Sequence, residues 1–144
     1  MKNTFNEQLE SIMDEKNITI AALSTELSIK ISNLYKYKQG TYLPSLENAI
    51  KLSDYFKCSL DFLFGFAENY QETQFTKWEK FSERFRQLLK EKGIKRQDLK
   101  KTKLFAKQSI DDWFNDVRLP TIDNLIELRE YFGCTLDYLV GRDL

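Results

Sequence analysis

A chain of 144 residues that is 42% hydrophobic and 31% charged has room for one medium domain or two small ones, and enough apolar material to pack them. It contains no histidine and only two cysteines, Cys58 and Cys134, too far apart for a CxxC ligand pair; this removes the usual general base, the usual triads and the common zinc sites, so neither an enzyme nor a cofactor is expected. The formal net charge is zero, but residues 1–72 sum to −3 and residues 73–144 to +3, so global neutrality hides an asymmetry.

In chain order, the opening stretch MKNTFNEQLE lacks the apolar middle of a signal peptide, and no apolar run is long enough to span a bilayer, so a cytoplasmic protein is expected. Phe5, Leu9, Ile12 and Met13 fall on one face of a first helix, with Thr4 and Glu7 spaced as a capping box. Asn17 suits the helix end, and Thr19 opens a second, short segment. A turn near Leu27–Ile29 precedes a third segment over 30–38, stopped by Gly40. Pro44 and Ser45 then open a helix whose inner face is traced by Leu46, Ala49, Ile50 and Ser53, and Ser59 caps a last short one. Residues 67–75 form a connector; aromatic residues in or beside it (Phe66, Tyr70, Phe75, Trp78) argue that it packs on one or both neighbours and fixes their orientation.

The rest repeats this pattern. Sliding the chain by 76 positions lays residues 5–65 over 81–141 without a gap, with 18 of the 61 positions identical, among them Phe5/Phe81, Leu23/Leu99, Pro44/Pro120, Cys58/Cys134 and Gly65/Gly141. The chain is therefore two copies of one unit, 1–66 and 76–144. In the second copy Thr76 and Glu79 take the capping-box spacing, Gly93 ends the first helix, and Thr135 caps the last. No stretch alternates with period two, so the fold class expected is all-α, five short helices per copy. Cys58 and Cys134 read as paired core positions. Asp61 and Asp137 each follow a helix cap by two residues, where a carboxylate favours the helix start.

The stretch EKNITIAALSTELSIKISNLYKYKQGTYLPSLENAIKLSDYFKCSLDFLFG, and its counterpart EKGIKRQDLKKTKLFAKQSIDDWFNDVRLPTIDNLIELREYFGCTLDYLVG, resemble the lambda-repressor/Cro-like (XRE family) helix-turn-helix domain. The resemblance implies two tandem five-helix domains that bind double-stranded DNA at an operator and repress transcription by occluding a promoter. It also implies that the second short segment of the helix-turn-helix is the reading helix, placed in the major groove: residues 30–38 and 106–114. Carried over by position, the DNA-facing residues are Lys30, Ile31, Ser32, Asn33, Tyr35, Lys36 and Lys38 in copy one. In copy two they are Arg96, Lys103, Lys107, Gln108, Ser109 and Asp112. Leu34, Ile110, Tyr37 and Trp113 are expected to point inward.

Two departures stand out. Where the family places a phosphate-holding glutamine, the chain has Ile20 and Arg96, and only Arg96 can substitute as a charge. Copy two carries Asp111 and Asp112 on its reading helix, while its bases gather upstream: Lys90, Lys92, Lys95, Arg96, Lys100, Lys101, Lys103 and Lys107 against Glu91 and Asp98. The expectation is a division of labour in which copy one reads and copy two clamps or discriminates. Two copies in one chain could serve as an intramolecular pseudo-dimer, or the chain could form a homodimer; no small-molecule ligand is expected. The rival reading keeps the fold but makes the chain an antirepressor-like protein-interaction module.

Overall fold

The computed structural model describes residues 4–144, which divide into two compact units, one ending at Gln74 and the other running from Phe75 to Leu144. Unit one contains α1 (Phe5–Lys16), α2 (Ile20–Leu27), α3 (Ile31–Gln39), α4 (Leu46–Phe56) and α5 (Leu60–Leu63). Unit two contains β1 (Lys77–Trp78), α6 (Phe81–Glu91), α7 (Arg96–Lys101), α8 (Lys107–Phe114), α9 (Ile122–Phe132), α10 (Leu136–Leu139) and β2 (Arg142–Asp143). The helical repeat is present at the expected places, and the reading helices begin one residue later than expected because Lys30 and Ala106 are their N-cap residues.

The helices end where the chain can turn left-handed. Asn17, Ser28 and Gly40 sit at positive φ after α1, α2 and α3. Helices α2, α4, α5, α9 and α10 begin at hydroxyl caps: Thr19 accepts from Ala22 N, Ser45 from Asn48 N, Ser59 from Phe62 N, Thr121 from Asn124 N and Thr135 from Tyr138 N. Thr121→Ala should therefore cost about 1 kcal/mol, the usual worth of a hydroxyl cap. Both tryptophans, Trp78 and Trp113, belong to unit two, so a urea titration followed by tryptophan fluorescence reads that cost in unit two alone.

The two expected capping boxes do not form. Thr4 Oγ1 bonds the Glu7 carboxylate at 3.0 Å, side chain to side chain, and accepts from no backbone amide of α1. Thr76 lies five residues before α6: its N–H donates to Asp143 O (3.0 Å), and Glu79 N donates to Gly141 O (2.9 Å). Residues 77–78 and 142–143 pair antiparallel, a two-residue ladder too short to show as alternation in the sequence.

In unit one, the α1 face Phe5, Leu9, Ile12 and Met13 is buried, with Phe5 stacked on Phe64 at 4.9 Å and edge-on to Tyr37. On α4, Leu46, Ala49, Leu52, Ser53 and Phe56 are buried and Ile50 is half-buried. In unit two, Phe85 meets Trp113 and Phe132 edge-on, and Phe105 also meets Trp113 edge-on. Cys58 is fully buried and Cys134 half-buried, and the two are not joined in a disulfide.

The connector divides between the units. Tyr70 donates its hydroxyl to Phe56 O (3.0 Å), lies edge-on to Phe62 and sits under the Lys16 ammonium, while Thr73 N donates to Lys57 O (2.8 Å). Phe75 instead packs under the guanidinium of Arg142, which is buried in an ion pair with Asp137 at 3.1 Å. The carboxylate of Asp137 thus has a specific partner beyond its place at the start of α10.

Candidate nucleic-acid interface

In unit one, α3 is held by its inward residues. Leu34 (1% exposed) and Tyr37 (5%) are core, and the Tyr37 hydroxyl accepts from Asn48 Nδ2 at 2.9 Å, so the ring is fixed at both ends. Helix α3 packs on both α1 and α2, which fixes its place in the helix-turn-helix pair. Its outer face carries Lys30, Ile31, Ser32 and Tyr35, all exposed, and Asn33, Lys36 and Lys38, half-exposed. Among the described residues, none of the three lysines forms an ion pair, and α3 bears no carboxylate. The face presents ammonium groups, a hydroxyl, an amide and a phenol: donors for phosphate oxygens and for base-edge acceptors.

Tyr42 was not among the expected residues. It is exposed just past the Gly40 turn, and the Lys36 ammonium lies 4.9 Å from its ring centre. The alternation LYKYKQGTY placed an aromatic on either side of the turn, but only the left-handed Gly40 bends Tyr42 back onto Lys36. Beside this face, Met13, Asn17, Thr19, Ile20, Tyr35 and Lys38 contribute to an open notch of about 410 Å³. Ile20, at the family's phosphate-holding position, is buried (8% exposed) and offers the notch no donor of its own side chain.

Unit two differs in charge and in order. Ile110 and Trp113 are buried as expected, and α8 packs on α6 and α7. Lys103 and Lys107 are exposed, and Ser109 is half-buried. Asp112, expected on the DNA side, is turned inward instead: it is 8% exposed, accepts from Gln108 Nε2 at 3.0 Å and faces Arg118 Nε at 3.5 Å. The i, i+4 spacing of Gln108 and Asp112 puts them on one helix face, where each takes the other's hydrogen-bonding capacity. Arg96 is drawn onto its own unit as well, its guanidinium 4.0 Å from the Phe114 ring centre and 3.2 Å from Asp111 Oδ1. Lys100 Nζ reaches Asp111 Oδ2 at 2.9 Å.

The hydrogen bond from Lys100, aided by Arg96, holds the Asp111 carboxyl below the usual carboxylate range. A folded-state pKa lowered in this way adds stability above the unfolded value, and that contribution disappears as pH falls through the folded one.

Among the described residues, no group of histidine, cysteine or acidic side chains could hold a metal, and no helix is long and apolar enough to cross a membrane. No solved structure matches the chain at a significant level. A stretch of 49 residues is 37% identical to the "Cryptic phage CTXphi transcriptional repressor RstR" of Vibrio cholerae serotype O1, covering 34% of this chain and 44% of that repressor. The chain thus spans less than half the length of this curated relative. The helix-turn-helix family profile matches twice, over residues 9–63 and 85–139, the same span of each repeat and about three quarters of the chain. With both matches lying on the five-helix units, the chain belongs to the helix-turn-helix family.

Proposed function

We propose that the chain is a sequence-specific, double-stranded-DNA-binding transcriptional repressor whose unit one reads the operator through α3. The observation that carries this is the outer face of α3: three lysines, a serine, an asparagine and two tyrosines on or beside a rigid helix, with no carboxylate among them. Lys30, Lys36 and Lys38 supply phosphate or guanine contacts, Ser32 and Asn33 meet base edges, and Ile31 meets a thymine methyl. The likeness to a phage repressor supports repression. In this reading unit two adds exposed bases such as Lys103 and Lys107 that touch backbone, and the protein works in the cytoplasm. The chain covers two half-sites either as an intramolecular pseudo-dimer or as a homodimer.

Selection of bound duplexes from a random library by the full chain, near physiological salt, tests this. An enriched motif is the expected outcome. A motif with two unlike halves indicates the pseudo-dimer, and a palindrome indicates the homodimer. No enrichment would reject the repressor reading in favour of a protein-interaction module.

A further inference from the structure

Four positions related by the 76-residue repeat take opposite chemistry in the two units. Unit one has Ile20, Ser24, Tyr35 and Lys38; unit two has Arg96, Lys100, Asp111 and Phe114. In unit one this corner borders the open notch, with Lys38 on its lining and, among the described residues, in no ion pair. In unit two the same four positions close on one another. Asp111 takes Arg96 at 3.2 Å and Lys100 at 2.9 Å through separate oxygens, and Phe114 covers the Arg96 guanidinium from 4.0 Å. The Lys100 side chain is left only 16% exposed.

A carboxylate accepting from two cations, one on each oxygen, makes the contacts that a backbone phosphate would make with the same pair. We propose that Asp111 is a built-in phosphate surrogate: it occupies the α7 cations Arg96 and Lys100 and keeps that pair from gripping the DNA backbone, so that backbone affinity is concentrated in unit one. This rests on the reading of the chain as a DNA binder. Its consequence is selectivity. A second unit with free Arg96 and Lys100 would add the same electrostatic affinity on any sequence, raising non-specific binding without improving discrimination. Simple repulsion of phosphate by Asp111 would also weaken binding, but it would do so whether or not Arg96 and Lys100 were present. The surrogate acts through them.

The experiment is a double-mutant comparison in the full chain, with binding to a random-sequence duplex followed by fluorescence anisotropy across a salt series. Asp111→Asn frees two cations. It should raise non-specific affinity on the order of tenfold at ~0.1 M salt and steepen the log–log salt slope by about 1.8, at ~0.9 per phosphate engaged. In an Arg96→Gln/Lys100→Gln background the same change should do nothing. Asp111→Tyr, which installs unit one's residue, serves as a second release variant should Asp111→Asn fail to fold by tryptophan fluorescence. An unaltered slope in the release variants overturns the proposal, as does an equal gain in both backgrounds, which would assign the effect to repulsion. The repressor reading fails separately, through the library selection: a flat Asp111→Asn comparison alongside an enriched motif sinks only the surrogate.

Discussion

Replacing Lys30, Lys36 and Lys38 together by alanine should flatten the salt dependence of duplex binding by up to about 2.7 in log–log slope, at ~0.9 for each phosphate no longer neutralised. Affinity for the selected operator should fall by at least about two orders of magnitude near physiological salt, because three interactions worth several-fold each multiply. Folding should survive. The three side chains lie outside the core, Leu34 and Tyr37 stay in place, and alanine is at least as good a helix former as lysine. Far-UV circular dichroism checks that point before binding is measured. Lys36→Ala alone should cost ~1–3 kcal/mol on the operator if the ammonium pairs with a base, and less if it meets only phosphate. Wild-type slope in the triple variant would place the DNA-binding surface elsewhere than α3, the helix of unit one that has cations and no carboxylate of its own.

How far the chain could be read from its sequence depended on the range of the interaction. Periodicity and caps depend on residues three or four apart, so the helices, Asn17, Gly40, Ser45 and the inward pairs Leu34/Ile110 and Tyr37/Trp113 were all legible. The repeat offered each of these patterns twice. Apart from the capping box at Thr4 and Glu7, which fails locally, what failed was long-range. Thr76 and Glu79 have the spacing of a helix start, yet residues 76–79 pair with the chain end more than sixty positions away. The inward turn of Asp112 was equally hidden, because its i, i+4 link to Gln108 is readable but its depth is set by how α8 sits on α6 and α7.

The charge inversion between the repeats was visible in the sequence, but its meaning was not. Read along the chain, Asp111 and Asp112 are two acids exposed on a reading helix. In three dimensions one is consumed by Arg96 and Lys100 and the other by Gln108 and Arg118. A similar exchange occurs at Gln8 and Arg84, equivalent positions that both donate to a carbonyl of the last short helix, at Phe62 and Tyr138 respectively. Unit two uses a guanidinium there and surrounds it with Glu79 (2.8 Å) and Asp143 (2.6 Å). Burial pulls the Arg84 pKa down, but the bonds to Asp143 and Glu79 outweigh it and hold the side chain charged. Unit two therefore commits several of its cations to internal pairs, whereas among the described residues the lysines of α3 in unit one form no ion pair. Net charge per half of the chain, −3 and +3, points the wrong way for DNA binding unless that distinction is made.

The same ladder that holds the acidic partners of Arg84 in place makes Gly141 a sensitive backbone position of unit two. Its φ is +88°, and a Cβ built there would collide with the Glu79 carbonyl, backbone that cannot rotate away. Gly133 offers the matched control: its φ is +66°, but a Cβ there meets nothing within 4 Å. Gly133→Ala should cost only the left-handed penalty of ~1–2 kcal/mol. Gly141→Ala adds to that an overpacking cost of ~1–3 kcal/mol, since Glu79 must retreat and its amide bond to Gly141 O, 2.9 Å long, must stretch or break. Trp78 lies in the ladder and is 54% exposed, while Trp113 is buried in the core, so their combined fluorescence in a urea titration follows unit two from edge to centre. Equal midpoints for the two variants would mean that residues 76–79 leave the chain end at little cost. A clearly lower midpoint for Gly141→Ala would make the ladder an integral part of the second unit, in which case cutting the chain before Gly141 should destabilise the helix-turn-helix that precedes it.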